Sequence, residues 1–170
     1  ELGKKAVVVL PSSYPEYLSF LDKDKEYLIF TKNPEKVAQA IEESDLIIGL
    51  DFNNLGRTEG VKNLFAASSA QKILIDHHPN PERSSFDLIC STVDTSSTCE
   101  LLFYILMETT LVDNDIEKMP YRSAEGLATG MLTDTNNFKN SSIASTYNMA
   151  SLLLKRGVSL DDLGKRVFGS

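Results

Sequence analysis

Short apolar runs alternate with amphipathic stretches along this chain of 170 residues. Ala6–Leu10, ended by Pro11, and Tyr27–Phe30 are β-branched or aromatic runs that predict strands, with a short helix over Pro15–Leu21 between them. Asn33-Pro34 predicts a helix start, because asparagine suits the N-cap and proline the first helical position. Val37 and Ile41 then lie four apart on its inner face. Asp45–Leu50 (DLIIGL) and Lys72–Ile75 (KILI) are continuous apolar runs, the pattern of strands covered on both faces. A helix from Thr58 to about Ala67 separates them, and Phe86–Cys90 reads as one further strand. Strand alternating with helix predicts an α/β fold, a parallel sheet flanked by helices.

The second half predicts helices. Ser97-Thr98-Cys99-Glu100 has the form of a capping box opening a helix that reaches about Thr109. Ala124, Leu127, Ala128, Met131 and Leu132 recur at helical spacing and lead into Thr133-Asp134-Thr135. Ile143, Tyr147, Ala150 and Leu154 mark the next helix, stopped by Gly157, and Ser159 caps a last one reaching Phe168. At the start, Leu2-Gly3 reads as the end of a helix, so an upstream β–α unit is expected and the sequence is taken as a fragment.

Composition narrows the function. A hydrophobic fraction of 42% supports a core, and no apolar run has the length of a membrane span. A net charge of −7 argues against a protein that holds long nucleic acid by neutralising phosphates, and leaves a small phosphate substrate open if metal ions reverse the local charge. Two cysteines, Cys90 and Cys99, are too few for a disulfide scaffold or a thiolate zinc site, so a cytoplasmic setting is expected.

The polar residues that follow the apolar runs are the candidates for chemistry. Asp51 follows the run DLIIGL, and Asp76-His77-His78 follow KILI. In a parallel sheet, ligands bind beyond the carboxyl ends of the strands, which points both sets into one crevice. The chain has only two histidines, and they are adjacent; Pro79 restricts the backbone at His78. Asp134 sits at the polar end of a helix. Each has a plainer reading, a turn or cap aspartate or a solvated histidine pair. Carboxylates with imidazole suit a hard to borderline divalent ion such as Mn²⁺ or Mg²⁺.

The segment Ile73-Leu74-Ile75-Asp76-His77-His78 matches the motif that names the DHH phosphoesterase superfamily. Ile48–Arg57, an aspartate followed by an arginine, resembles its second motif, and Thr129–Phe138 (TGMLTDTNNF) its fourth. Ser96–Leu102 also recurs in the family between the third and fourth motifs. Within the superfamily the chain most resembles the bacterial branch of nanoRNases (oligoribonucleases) and pAp phosphatases. The resemblance implies a partial catalytic domain over 1–170 and a site with two divalent ions, commonly Mn²⁺. It implies Asp51 as the bridging ligand, His77 and Asp134 as ligands of one ion, His78 beside the scissile phosphate, Asp76 orienting the histidine ring and Arg57 binding substrate. It further implies short single-stranded RNA or 3′-phosphoadenosine 5′-phosphate as substrate, no long duplex and no membrane partner, and homodimers in many members. The family's first motif, a His and two Asp after the first strand, has no match here, nor has the glycine-rich motif of its second, substrate-binding domain. Asn136 stands where a glycine is usual. Two alternatives stay open: the same superfamily acting on pyrophosphate, a cyclic dinucleotide or single-stranded DNA, and a non-catalytic relic that binds. The fragment alone is expected to be inactive.

Overall fold

The computed structural model describes residues 3–169, so the expected helix end at Leu2 lies outside the described residues. The chain forms two compact units, one running to Leu74 and including Pro81–Ile89, the other comprising Ile75–Asn80 and the residues from Cys90 onward.

In the first unit, β1 (Val9–Leu10) and β2 (Leu28–Ile29) form a small parallel pair, in register Val9 to Leu28 and Leu10 to Ile29. The apolar runs that predicted them are longer than the paired segments, and Val7 and Val8 are exposed. The expected helix between them is a 3₁₀ helix over Glu16–Asp22. It closes on the Asp22 carboxylate, which accepts from the Tyr14 hydroxyl at 2.8 Å and from the Glu26 and Tyr27 amides. Helix α1 (Pro34–Glu42) starts where Asn33-Pro34 predicted, with Pro34 as its first residue. Its Val37 and Ile41 are buried together with Val61 of α2 (Val61–Ala67), against Val9, Leu28, Phe30, Ile47 and Leu64. A second apolar cluster joins the rings of Phe52, Phe65 and Phe86.

Three further strands, β3 (Leu46–Leu50), β4 (Gln71–Asp76) and β5 (Leu88–Ser91), form a sheet in that order. The bonds from Gln71 N to Asp45 O, Asp87 N to Lys72 O and Thr92 N to Asp76 O advance together along the chain, so the strands run parallel. The expected α/β architecture is therefore present, with its strands divided between two sheets. One expectation fails. β3 is not covered on both faces: Leu46, Ile48 and Leu50 are each more than 40% exposed, and only the alternate positions Ile47 and Gly49 turn inward. An apolar run identifies a strand but not how many of its faces are packed.

The second unit is helical. It contains α3 (Thr98–Met107), α4 (Tyr121–Asp134), α5 (Ala144–Lys155) and α6 (Leu160–Phe168). The predicted stripe of α4 is its buried face: Ala124, Leu127, Ala128, Met131 and Leu132 are all inside, with Phe103, Met149, Leu153 and Leu163 from the other three helices. α3 lies close against α4 because Gly130 has no side chain; a Cβ there would stand 2.1 Å from Cys99 Sγ. The next expected helix is α5, with Ala150 of its marker residues inside. Tyr147 and Leu154 are exposed, and the buried stripe is Thr146, Met149, Ala150 and Leu153. Gly157 ends the helix with a φ of 96° and Ser159 Oγ accepts from Asp162 N to open α6, both as predicted.

Candidate functional site

β4 carries the chain into the second unit at Ile75, and its last residue is Asp76. The Asp76 carboxylate is fully buried, and both its oxygens face His78: Oδ1 lies 2.7 Å from Nδ1 and Oδ2 accepts from the backbone N–H at 3.1 Å. A carboxylate only accepts, so Nδ1 carries the proton and Nε2 is left for whatever His78 faces. The rings of His77 and His78 meet edge to face with centroids 4.6 Å apart, so the adjacent imidazoles do not diverge as on a regular strand.

Asp134 reaches this point from the last residue of α4. The Thr135 hydroxyl fixes the turn that follows, donating back to Met131 O at 2.8 Å and accepting from Phe138 N at 3.0 Å. Asn136, Asn137 and Phe138 all have positive φ, which lets the chain reverse within three residues; asparagine accepts this geometry where glycine would be the easier choice. His77 Nε2 and Asp134 Oδ2 are 3.5 Å apart, and both side chains are partly exposed. That gap is longer than a good hydrogen bond and suits two atoms bound to one ion at about 2.0–2.2 Å. An imidazole nitrogen with a carboxylate oxygen is a donor set for a borderline divalent cation, so the residues present fit the group that the sequence implied.

Asp51 and Arg57 belong to the first unit. Asp51 directly follows β3, is exposed, and has a φ of 67°. Left-handed backbone at a residue other than glycine costs roughly 1 kcal/mol or more, and such strain gathers at functional sites. Arg57 lies exposed in a 3₁₀ turn, Leu55–Thr58. Glu82 holds that turn, accepting from Leu55 N at 2.9 Å and from Ser85 Oγ at 2.7 Å, while its own N–H donates to Asn53 O. These bonds, Ser85 foremost, keep the Glu82 carboxyl below the ordinary range.

Two features of the second unit were not legible as functional. A cavity of about 450 Å³ is lined by His77 together with residues of segments 93–96 and 141–143. Beside it, the buried Glu100 carboxylate accepts from the hydroxyls of Ser96, Ser145 and Thr146 and from Ser96 N. Burial alone would raise its pKa; the hydrogen bonds, led by Ser145, Ser96 and Thr146, outweigh burial and hold it below the ordinary range. The expected cap is half realised: Ser97 Oγ accepts from Glu100 N, but the Glu100 side chain serves these hydroxyls.

Residues 8–131 match the model of the DHH family, N-terminal domain. Asp134 lies just past that match. Among solved structures, an exopolyphosphatase-related protein from Bacteroides fragilis matches with a TM-score of 0.91 and 32% sequence identity, over 99% of this chain and 48% of that one. The chain thus spans about half the length of that relative. No curated protein sequence matches.

Proposed function

From the premise that the chain belongs to the DHH family, we propose that it is the catalytic part of a metal-dependent phosphoesterase. The proposed substrates are short oligoribonucleotides and 3′-phosphoadenosine 5′-phosphate, hydrolysed with manganese in the cytoplasm. The observation that supports this best is the meeting of His77 Nε2 and Asp134 Oδ2, 3.5 Å apart, next to a histidine held by a buried aspartate. In this reading His77 and Asp134 would hold one ion, and Asp51 is the further metal-ligating carboxylate that the family resemblance assigns. Ions bound there would activate a water and neutralise the phosphate oxygens. Asp76 fixes the His78 ring so that Nε2 presents one tautomer to the reacting phosphate, and Arg57 holds a substrate phosphate from the loop after β3. No described helix is long and apolar enough to cross a membrane.

A pyrophosphate or polyphosphate substrate is the second reading, favoured by the description of the Bacteroides protein as exopolyphosphatase-related. The test is a substrate panel with the full-length protein and manganese: a 5′-phosphorylated diribonucleotide, 3′-phosphoadenosine 5′-phosphate, pyrophosphate, tripolyphosphate and a cyclic dinucleotide. The expected result is turnover of the first two, lost in His77→Ala and Asp134→Asn together with manganese binding. Turnover confined to the inorganic substrates selects the second reading, and manganese binding unchanged in both variants refutes the assigned ligands.

A further inference from the structure

Glu100 stands at the junction of the two segments that wall the cavity. Ser96 belongs to the first and donates to Glu100 Oε2. Thr146 Oγ1 donates to the same oxygen at 2.7 Å and accepts from the N–H of Ile143, which belongs to the second, at 3.1 Å. Ser145, outside the cavity wall, donates to the other oxygen. An ionised carboxylate has about four lone-pair sites, and here four donors meet it. One buried group therefore sets the spacing of both segments.

The wall itself has a definite chemistry. Among the described residues no lysine or arginine lines it; it offers the Asp94 carboxylate, the Ser141 hydroxyl, the accepting oxygens of Thr95 and Ser96, which donate to Ser97 O and Glu100, and the apolar Val93 and Ile143, with His77 at one side. A further phosphate placed there would meet a carboxylate and no fixed cation. Sugar hydroxyls would meet acceptors and donors, with apolar surface for the rest of a nucleoside. A volume of about 450 Å³ is within the usual range for a small-molecule site.

We propose that Glu100 is a positioning residue that ties together the walls of this cavity, and that the cavity takes the uncharged, hydroxyl-bearing part of the substrate, a ribose, next to the phosphate held beside His77. The inference rests on the phosphoesterase reading above and assigns the sugar to a place within it.

Calorimetry on the full-length protein tests it. Manganese is titrated first, then adenosine 5′-monophosphate and inorganic phosphate separately. Wild type is expected to bind the nucleotide at least about tenfold more tightly than phosphate, since hydrogen bonds in a formed site add that much or more. Glu100→Gln keeps the size but replaces an accepting oxygen by a donor. It should weaken nucleotide binding about tenfold and leave phosphate binding within about twofold. Ser145→Ala removes one donor that does not touch the cavity and should weaken the nucleotide about threefold, acting only through Glu100. It carries the test if circular dichroism shows that Glu100→Gln does not fold. Equal binding of nucleotide and phosphate by wild type overturns the sugar site. Loss of both ligands together in a folded variant, or of neither, overturns the positioning role. Failure to bind manganese refutes the proposed function itself, whereas manganese binding with nucleotide affinity insensitive to these variants refutes only this inference.

Discussion

Replacing Asp76 by asparagine changes one atom in the buried pair that holds His78. In the wild type both aspartate oxygens accept, from Nδ1 at 2.7 Å and from the backbone N–H at 3.1 Å. Asparagine keeps one acceptor and puts an NH₂ group where the other stood. If its oxygen faces the ring, the NH₂ meets the backbone N–H, two donors in contact. If its oxygen faces the backbone, the NH₂ meets Nδ1, and the ring must move its proton to Nε2. In the first case one bond is lost and in the second both are kept, but in either the acceptor no longer carries a charge. A charge-assisted bond is worth about 1.5–3 kcal/mol against about 0.5–1.5 kcal/mol for a neutral one, and release from burying a charge offsets part of the difference. Stability should fall by about 1–2 kcal/mol in urea unfolding. Turnover should fall by about 10²–10⁴, because an Nε2 that carries a fixed proton presents the wrong tautomer to the phosphate. Long-range ¹⁵N NMR should show His78 protonated at Nδ1 in the wild type and shifted toward Nε2–H in the variant. If Asp76 acts through His78, the double variant Asp76→Asn/His78→Ala loses no more turnover than His78→Ala alone. An unchanged tautomer with turnover within about threefold of wild type, or losses that simply add, would sink the argument.

Asp51→Asn should weaken binding of both ions in a manganese titration, while His78→Ala keeps most of the metal and loses about 10²–10⁴ in turnover; equal loss of metal in the two reverses the proposed roles. Gly130→Ala should destabilise by about 1–3 kcal/mol in urea unfolding, since the new methyl group would meet Cys99 Sγ at 2.1 Å. Gly126→Ala on the same helix has nothing within 4 Å of its new Cβ and should be neutral or stabilising by up to about 1 kcal/mol; a matching loss at both glycines refutes the packing account. Glu100 has a folded pKa below its ordinary value of 4.5, so its contribution to stability is complete above that pH and is lost as pH falls through the lowered value. The acid limb of unfolding should therefore be shallower in Glu100→Gln than in wild type, and identical acid limbs would contradict the assignment.

Much of the fold follows from local chemistry that a sequence displays. Pro34 as the first residue of α1, Ser97 three residues before Glu100, Ser159 before α6 and Gly157 after α5 stand at helix ends because backbone geometry and unpaired N–H groups demand those residue types there; the Asn33 side chain, by contrast, accepts no helix N–H. The inner stripe of α4 was legible because its outer face is polar. α5 was not, because it carries two apolar stripes, one through Tyr147 and Leu154 and one through Met149 and Leu153, and apolarity cannot choose between them. The structure turns the second stripe inward along with a threonine. Thr146 is fully buried because its hydroxyl serves Glu100, so a polar bond fixes the rotation of the helix.

The same limit governs the site. Asp76-His77-His78 stood out by composition, since the chain's two histidines fall together at a strand end, and Asp134 by its place after a regular helical stripe. The turn that follows Asp134, at Thr135 and three consecutive left-handed residues, is a geometry that no spacing rule displays. Glu100 looked like an ordinary cap residue because its identity as N3 of α3 was enough to explain it. The partners that give it another task, Ser145 and Thr146, lie on a different helix more than forty residues later. A buried carboxylate satisfied only by hydroxyl and amide donors carries its full charge without a fixed counter-cation, and small displacements of those donors are costly in so dry a place. That stiffness makes Glu100 a better determinant of cavity shape than the exposed side chains of the cavity's own wall, Val93, Asp94 and Ile143.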